Sequence, residues 1–364
     1  MRDPGSVKQE GGEGEVVRHY MHLFMALCAQ KHEMLHALIE TYVQATSGVR
    51  SAVQASITDM IKAIGAESSV LLSIMADVPK GAELLLLAFV RTLTEQGNPG
   101  QHKRLLDAIK ALYARMGDAR FMIYICSALS RSEVEELLPR MVALPQVGVK
   151  AALHRLLHSR GSALTPEKLM IALHKLQPAK DLTIKKIAEA IELCFNDRAV
   201  FTTQVLAVVV QQLLEQNPLP ELYMRTVLLA LKASPSLTDF VMGILHRLIA
   251  KQIWTMPTLW KGFVRCCRQT LPRSVGVLVQ LPPPQLAKAV HECEELGEPL
   301  ALFIKDQRNQ GYNVPAQIIK VVEPWLGGHA GGSGRRSDDE TTGSAEGERE
   351  EVTEAAAEKM EDAR

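Results

Sequence analysis

Five consecutive residues, His32-Glu33-Met34-Leu35-His36, spell H-E-x-x-H, a pattern whose residue types can do chemistry. On a helix the two histidines sit one turn apart and can both ligate zinc. The glutamate between them can then act as general base toward a zinc-bound water. A zinc peptidase is therefore one reading of the chain. That chemistry needs a third ligand, and Glu40, Glu67 and Glu83 have equal claims to the role. Zincin sites also lie below a sheet edge, and no strand pattern is visible. The chain holds 11 histidines, and such a short motif arises by chance in about a few per cent of chains of this kind. We read it as coincidental and assign no catalytic residue, no metal and no cofactor.

The remaining reactive residues are no better placed. Cys266-Cys267 are adjacent, a spacing that rarely makes a good disulfide, and Phe263 and Val264 beside them point to core packing. The six cysteines show no C-x-x-C spacing and read as buried thiols of a reducing compartment. His154 and His158 lie one turn apart, with His174 and His246 elsewhere. None has an acidic or cysteine partner near in sequence, so surface or groove positions are expected. Pro282-Pro283-Pro284 is read as a loop ending in the first residue of a helix rather than as a polyproline ligand. No phosphate-binding glycine loop and no nucleophile elbow are present.

The elements that carry these residues are helical. Aromatics are scarce at 5%, and the composition is 47% hydrophobic and 23% charged, a folded profile that favours helices over strands. Met34, Leu35, Leu38, Ile39, Tyr42 and Val43 form one helix-period stripe. Val49, Val53, Ile57, Met60, Ile61 and Ile64 form another, closed by Gly65. Leu105, Leu106, Ile109, Leu112, Tyr113 and Met116 repeat it before Gly117. Pro79 is expected to open a helix through Leu84–Val90, and Pro220 another after Asn217-Pro218 stops one. Ser132 with Glu135 reads as a capping box, and Thr165-Pro166 as an N-cap and first-turn proline. About sixteen helices in pairs of about 40 residues predict an all-α, HEAT/armadillo-like array of antiparallel helix pairs, an α-solenoid.

Three regions follow: a flexible N-terminus at 1–14, a helical repeat domain at 15–325, and a disordered Gly-rich, acidic tail at 326–364. The formal net charge is zero. The tail holds 11 acidic and 5 basic residues, leaving a mild surplus of six positive charges elsewhere. No nucleic-acid footprint is expected from so small a surplus. No secretory signal is visible, and the longest apolar runs are too short to span a bilayer, so a soluble intracellular protein is expected.

From Met224 the run MRTVLLALKASPSLTDFVMGILHRLIAKQIWTMPTLWKGFVRCC, followed by VLVQLPPPQL, resembles the C-terminal domain of the symplekin family. Arg225-Thr226-Val227, Lys251-Gln252-Ile253-Trp254, Trp260, Gly262-Phe263 and Val279-Gln280-Leu281-Pro282 carry the likeness. Upstream, PKGAELLLLAFVRTLTEQG from Pro79 and DARFMIYICSALSRSEVEELLP from Asp118 are similar too. The resemblance implies a non-catalytic nuclear scaffold of pre-mRNA 3′-end cleavage and polyadenylation. Its implied partners are the endonuclease of the cleavage and polyadenylation specificity factor, the inactive homologue of that nuclease, and cleavage stimulation factor. It implies no membrane, no direct nucleic acid and no small-molecule substrate. The family's N-terminal HEAT domain has no counterpart here, which suggests a truncated or short version of the protein. Arg225, Lys251, Gln252, Trp254, Trp260 and Phe263 are the candidate partner-binding residues. Trp254 and Trp260 could equally anchor the core. A helical-repeat adaptor in another pathway, such as trafficking, is the remaining alternative.

Overall fold

The computed structural model describes residues 9–77, 79–95, 102–158 and 163–326. Most of the tail, 327–364, and the first eight residues of the N-terminal region lie outside these. The described residues are helical throughout, with no strand among them. Nineteen α-helices follow one another rather than about sixteen, because short turns of helix separate some longer ones. In chain order they begin with α1 (Gln9–Gln30), α2 (Met34–Gln44), α3 (Ser47–Ile64), α4 (Ser69–Ala76), α5 (Glu83–Glu95) and α6 (Lys103–Met116). Next come α7 (Arg120–Ile123), α8 (Arg131–Ala143), α9 (Gln146–His158), α10 (Pro166–Lys175), α11 (Ile184–Phe195) and α12 (Thr203–Leu214). The last seven are α13 (Tyr223–Ala233), α14 (Thr238–Ala250), α15 (Pro257–Gln269), α16 (Val275–Leu278), α17 (Pro283–Glu292), α18 (Gly297–Asn309) and α19 (Ala316–Leu326). Helix α1 starts inside the stretch expected to form an N-terminal arm, and α19 ends where the tail begins.

The odd-numbered helices stack in one layer, α1 on α3, α3 on α5, and so on to α15, with α17 on α19. The even-numbered helices form the other layer, most continuously from α10 to α18. Each pair closes with a short turn, as between α12 and α13 or α18 and α19. This is an α-solenoid, and one continuous apolar core runs through it from Met25 to Val322. Burying a single Leu or Ile contributes about 1.5–3 kcal/mol. The stripe on α3 therefore holds its helix in place through Val53, Ile57, Met60 and Ile61. Val49, counted in that stripe, is instead 41% exposed at the open edge of α1 and α3.

Caps follow the local chemistry with some shifts. Gly117 ends α6 in the left-handed region at φ 69°, where a Cβ would be strained. Thr165 caps α10 by accepting from the Lys168 amide, with Pro166 in the first turn. The expected capping box at Ser132 and Glu135 is formed two residues earlier. There the Ser130 hydroxyl accepts from the Glu133 amide at 3.4 Å, and the Ser130 amide donates to the Glu133 carboxylate at 2.7 Å. This register also lets Lys110 of α6 reach Glu133 at 2.6 Å, while Glu135 pairs with Arg131. Pro79 and Pro220 do not open helices either. Each lies in a preceding turn, and α5 and α13 begin three or four residues later.

Helices α13 and α15 approach unusually closely because Gly262 has no side chain. A Cβ there would meet the Met224 Cβ at 2.5 Å. Gly243, on α14, faces open space. Gly262→Ala is therefore expected to lower stability by about 1–3 kcal/mol through overpacking. Gly243→Ala should raise it by about 0.5–1 kcal/mol by removing backbone freedom. Urea unfolding midpoints of the two variants check the pair; equal shifts would contradict the close approach.

Candidate partner-binding surface

The H-E-x-x-H segment does not lie on one helix. Helix α2 starts at Met34, so His32 and Glu33 belong to the turn before it, held by bonds from the Met34 and Leu35 amides to the Lys31 and His32 carbonyls. His32 Nδ1 lies 3.2 Å from the Ser68 hydroxyl, which also caps α4. His36 and Glu33 point to solvent. Among the described residues, no group of three or more His, Cys, Asp or Glu is arranged to hold a metal ion.

The cysteines are set against reactivity. Cys266 and Cys267 are both 0% exposed. Burial pushes the Cys266 thiol up to about 12 and the Cys267 thiol well above its ordinary value. Nucleophilic thiolate chemistry is thereby suppressed at neutral pH.

The histidines have partners that sequence proximity did not reveal. His158 Nε2 meets the Asp197 carboxylate at 2.5 Å across 39 positions, and its ring stacks near His154. His246 Nδ1 lies 2.8 Å from the Gln280 amide oxygen. His174 Nδ1 lies 2.8 Å from the Met170 carbonyl, so that nitrogen carries the proton and donates. Its Nε2 is then an acceptor, and the fully buried Thr226 hydroxyl donates to it at 2.8 Å. This bond joins α10 to α13 across the two layers. Burial lowers the His174 pKa to about 4, with the Met170 carbonyl opposing that shift. Next to it, a cleft of about 470 Å³ opens where the α10–α11 and α12–α13 connections meet.

The six candidate binding residues divide. Trp260 is 1% and Phe263 0% exposed, their rings stacked 5.6 Å apart inside α15. These two cannot touch a partner on this surface, and their contribution is to shape it from beneath. Arg225 is exposed on α13 and paired with Glu192 of α11 at 2.5 Å. Lys251, Gln252 and Trp254 come together in the turn from α14 to α15. Lys251 and Gln252 are exposed and Trp254 is half-buried. Gln252 holds φ 54° and ψ 50°, the one non-glycine residue with positive φ among those described. That conformation costs an ordinary side chain about 1 kcal/mol and is retained here by bonds from the Thr255 amide and hydroxyl to the Gln252 carbonyl, both 2.9 Å.

A second exposed apolar surface lies at the other end. Tyr20, Phe24, Leu38 and Val49 line a groove of about 440 Å³ between α1, α2 and α3. Among the described residues, no helix is long and apolar enough to cross a membrane.

A two-layer helical stack with extended outer faces defines an α-solenoid of the helical-repeat class. Residues 118–293, from α7 to the end of α17, match the family described as symplekin tight junction protein C terminal. The chain carries a symplekin-family C-terminal domain. No solved structure matches the chain.

The neutral His174, half-buried beside the cleft, couples stability to pH. Its folded pKa, about 4, lies below the ordinary value of 6.5. As pH falls through that interval the unfolded chain takes up the proton first, so stability drops between pH 6.5 and 4 and levels off below. Urea midpoints across this range should fall in the native chain and fall less steeply in His174→Gln. An identical slope would mean that His174 is not held neutral.

Proposed function

We propose that this chain is a non-catalytic nuclear scaffold of the pre-mRNA 3′-end cleavage and polyadenylation machinery, docking its endonuclease module. The observation that carries this reading is the family match over residues 118–293, supported by an architecture built for contact. A solenoid presents long outer faces made from many short elements, so it can hold extended partner segments without a closed site. The partners in this reading are the endonuclease, the inactive homologue of that nuclease, and cleavage stimulation factor. The repeat domain at 15–325 is the part that grips.

We place the docking contact at the α14–α15 turn. Trp254 offers a large, half-buried ring at the surface, the residue type most enriched at binding hot spots. Lys251 and Gln252 stand beside it on a backbone held in an uncommon conformation, a feature that clusters at functional sites. Arg225 contributes from the outward side of α13.

Co-purification of the full chain with the endonuclease and its inactive homologue tests the scaffold reading; no complex at low salt would sink it. Within such a complex, Trp254→Ala should weaken binding at least tenfold while leaving the thermal midpoint within a few degrees. Trp260→Ala, by contrast, should cost about 3–5 kcal/mol of stability, since it empties a core position. Full binding by Trp254→Ala would move the contact elsewhere on the solenoid.

A further inference from the structure

The positive surplus of the chain falls in one stretch of sequence that spans α13, α14 and α15. Between Arg225 and Arg273 the sequence holds eight basic residues and one acidic residue, Asp239. That surplus of seven exceeds the surplus of six for the whole of residues 1–325, so the rest of that span is close to neutral. The fold then sorts these residues by helix. Along α13 the solvent stripe carries Arg225 and Lys232, and along α15 it carries Lys261, Arg265 and Arg268. Lys288 of α17 continues the row, with its ammonium group 5.8 Å above the Trp260 ring. These helices belong to the odd layer, so their outward stripes lie side by side.

Three of the six are engaged by carboxylates, Arg225 by Glu192, Arg268 by Glu295 at 2.6 Å, and Lys288 by Glu292 at 3.9 Å. Lys232, Lys261 and Arg265 make no ion pair with the described residues. No exposed aromatic ring stands among these residues for a base to stack on. The face is suited to a polyanion held by charge.

The chain itself supplies one. From Asp338 to Asp362 there are eleven acidic and two basic residues, a balance of minus nine. This block follows α19 after eleven residues, 327–337, which span up to about 38 Å when extended. Stacked helices lie about 8–10 Å apart, so α15 is about 20 Å from α19 through α17. The basic face is within reach. A segment so tethered acts at a millimolar effective concentration, which populates even a weak ionic contact.

We propose that the acidic segment 338–362 docks on the basic face of α13, α15 and α17, covering Lys232, Lys261 and Arg265. The contact is charge-driven and therefore weakens sharply with salt.

Zero-length carbodiimide cross-linking of the full chain, read by mass spectrometry, tests the contact. At low salt, carboxylates of 338–362 should link to Lys232, Lys261 and Lys288 several-fold more than to Lys168 and Lys175 on α10. Charge reversal by Lys261→Glu with Arg265→Glu should reduce the links at Lys232 and Lys288 at least threefold, and 0.5 M salt should do the same. Evenly spread links overturn the proposal, as do links found only between isotopically distinct copies. Binding of oligouridylate provides an independent arm. A full chain with the tail carboxylates changed to amides should bind it at least tenfold more tightly than the native chain, and the double charge reversal should abolish that gain. Equal binding by native and neutral-tail chains would show the face open to nucleic acid and the tail elsewhere.

Discussion

Each helix of this chain is apolar around more of its surface than one neighbour can cover, and the rest of the structure depends on that constraint. On α11 the buried residues Ile187, Ala188, Ala190, Ile191, Cys194 and Phe195 fall within an arc of about 160°, a face too broad for one neighbouring helix to cover. Helices α8, α9, α10 and α13 all pack against it. A helix so patterned must pair with the next helix in sequence and also stack on the one after that. Two layers follow, with odd and even helices on opposite sides and a core between them. Growth is then lateral, and the polar stripes left over form two long outer faces.

Precision enters where helices meet most closely. Met224 and Gly262 let α13 and α15 approach, and Trp260 with Phe263 fills the space beneath the α14–α15 region. The Thr226 hydroxyl, buried at the same helix, finds its acceptor in His174 on α10. A buried hydroxyl without such a partner would cost about 1–3 kcal/mol. The polar bond thus fixes how the two layers register, while the apolar contacts supply most of the stabilisation. The same packing leaves Lys251 and Gln252 exposed at the turn and Trp254 half-buried against the core.

The Cys266 and Cys267 thiols are buried and held protonated, and His158, His246 and His174 settle into hydrogen bonds with Asp197, Gln280 and Thr226. The outer stripes of α13 and α15 carry Arg225, Lys232, Lys261, Arg265 and Arg268 in rows.

Much of the fold was legible in the residues. Helix-period stripes, the glycines at 65 and 117 and the Thr165-Pro166 start all report local preferences, and local preferences survive in any all-helical packing. The density of familiar residues from Arg225 to Pro282 likewise pointed to the symplekin family before any coordinate was known. Local pattern could not choose between two capping boxes two residues apart, since both satisfy the same spacing. Only the Lys110 side chain of another helix distinguishes them. Nor could it tell that Trp260 lies inside and Trp254 at the surface, because both flank the same proline. The sequence by itself determined that the chain is helical, repeating and poor in reactive groupings. Tertiary structure decided which tryptophan is fully buried and which half-buried, which histidine is neutral and which lysines share a face. Those properties depend on neighbours tens of residues away, brought close only when the two layers stack.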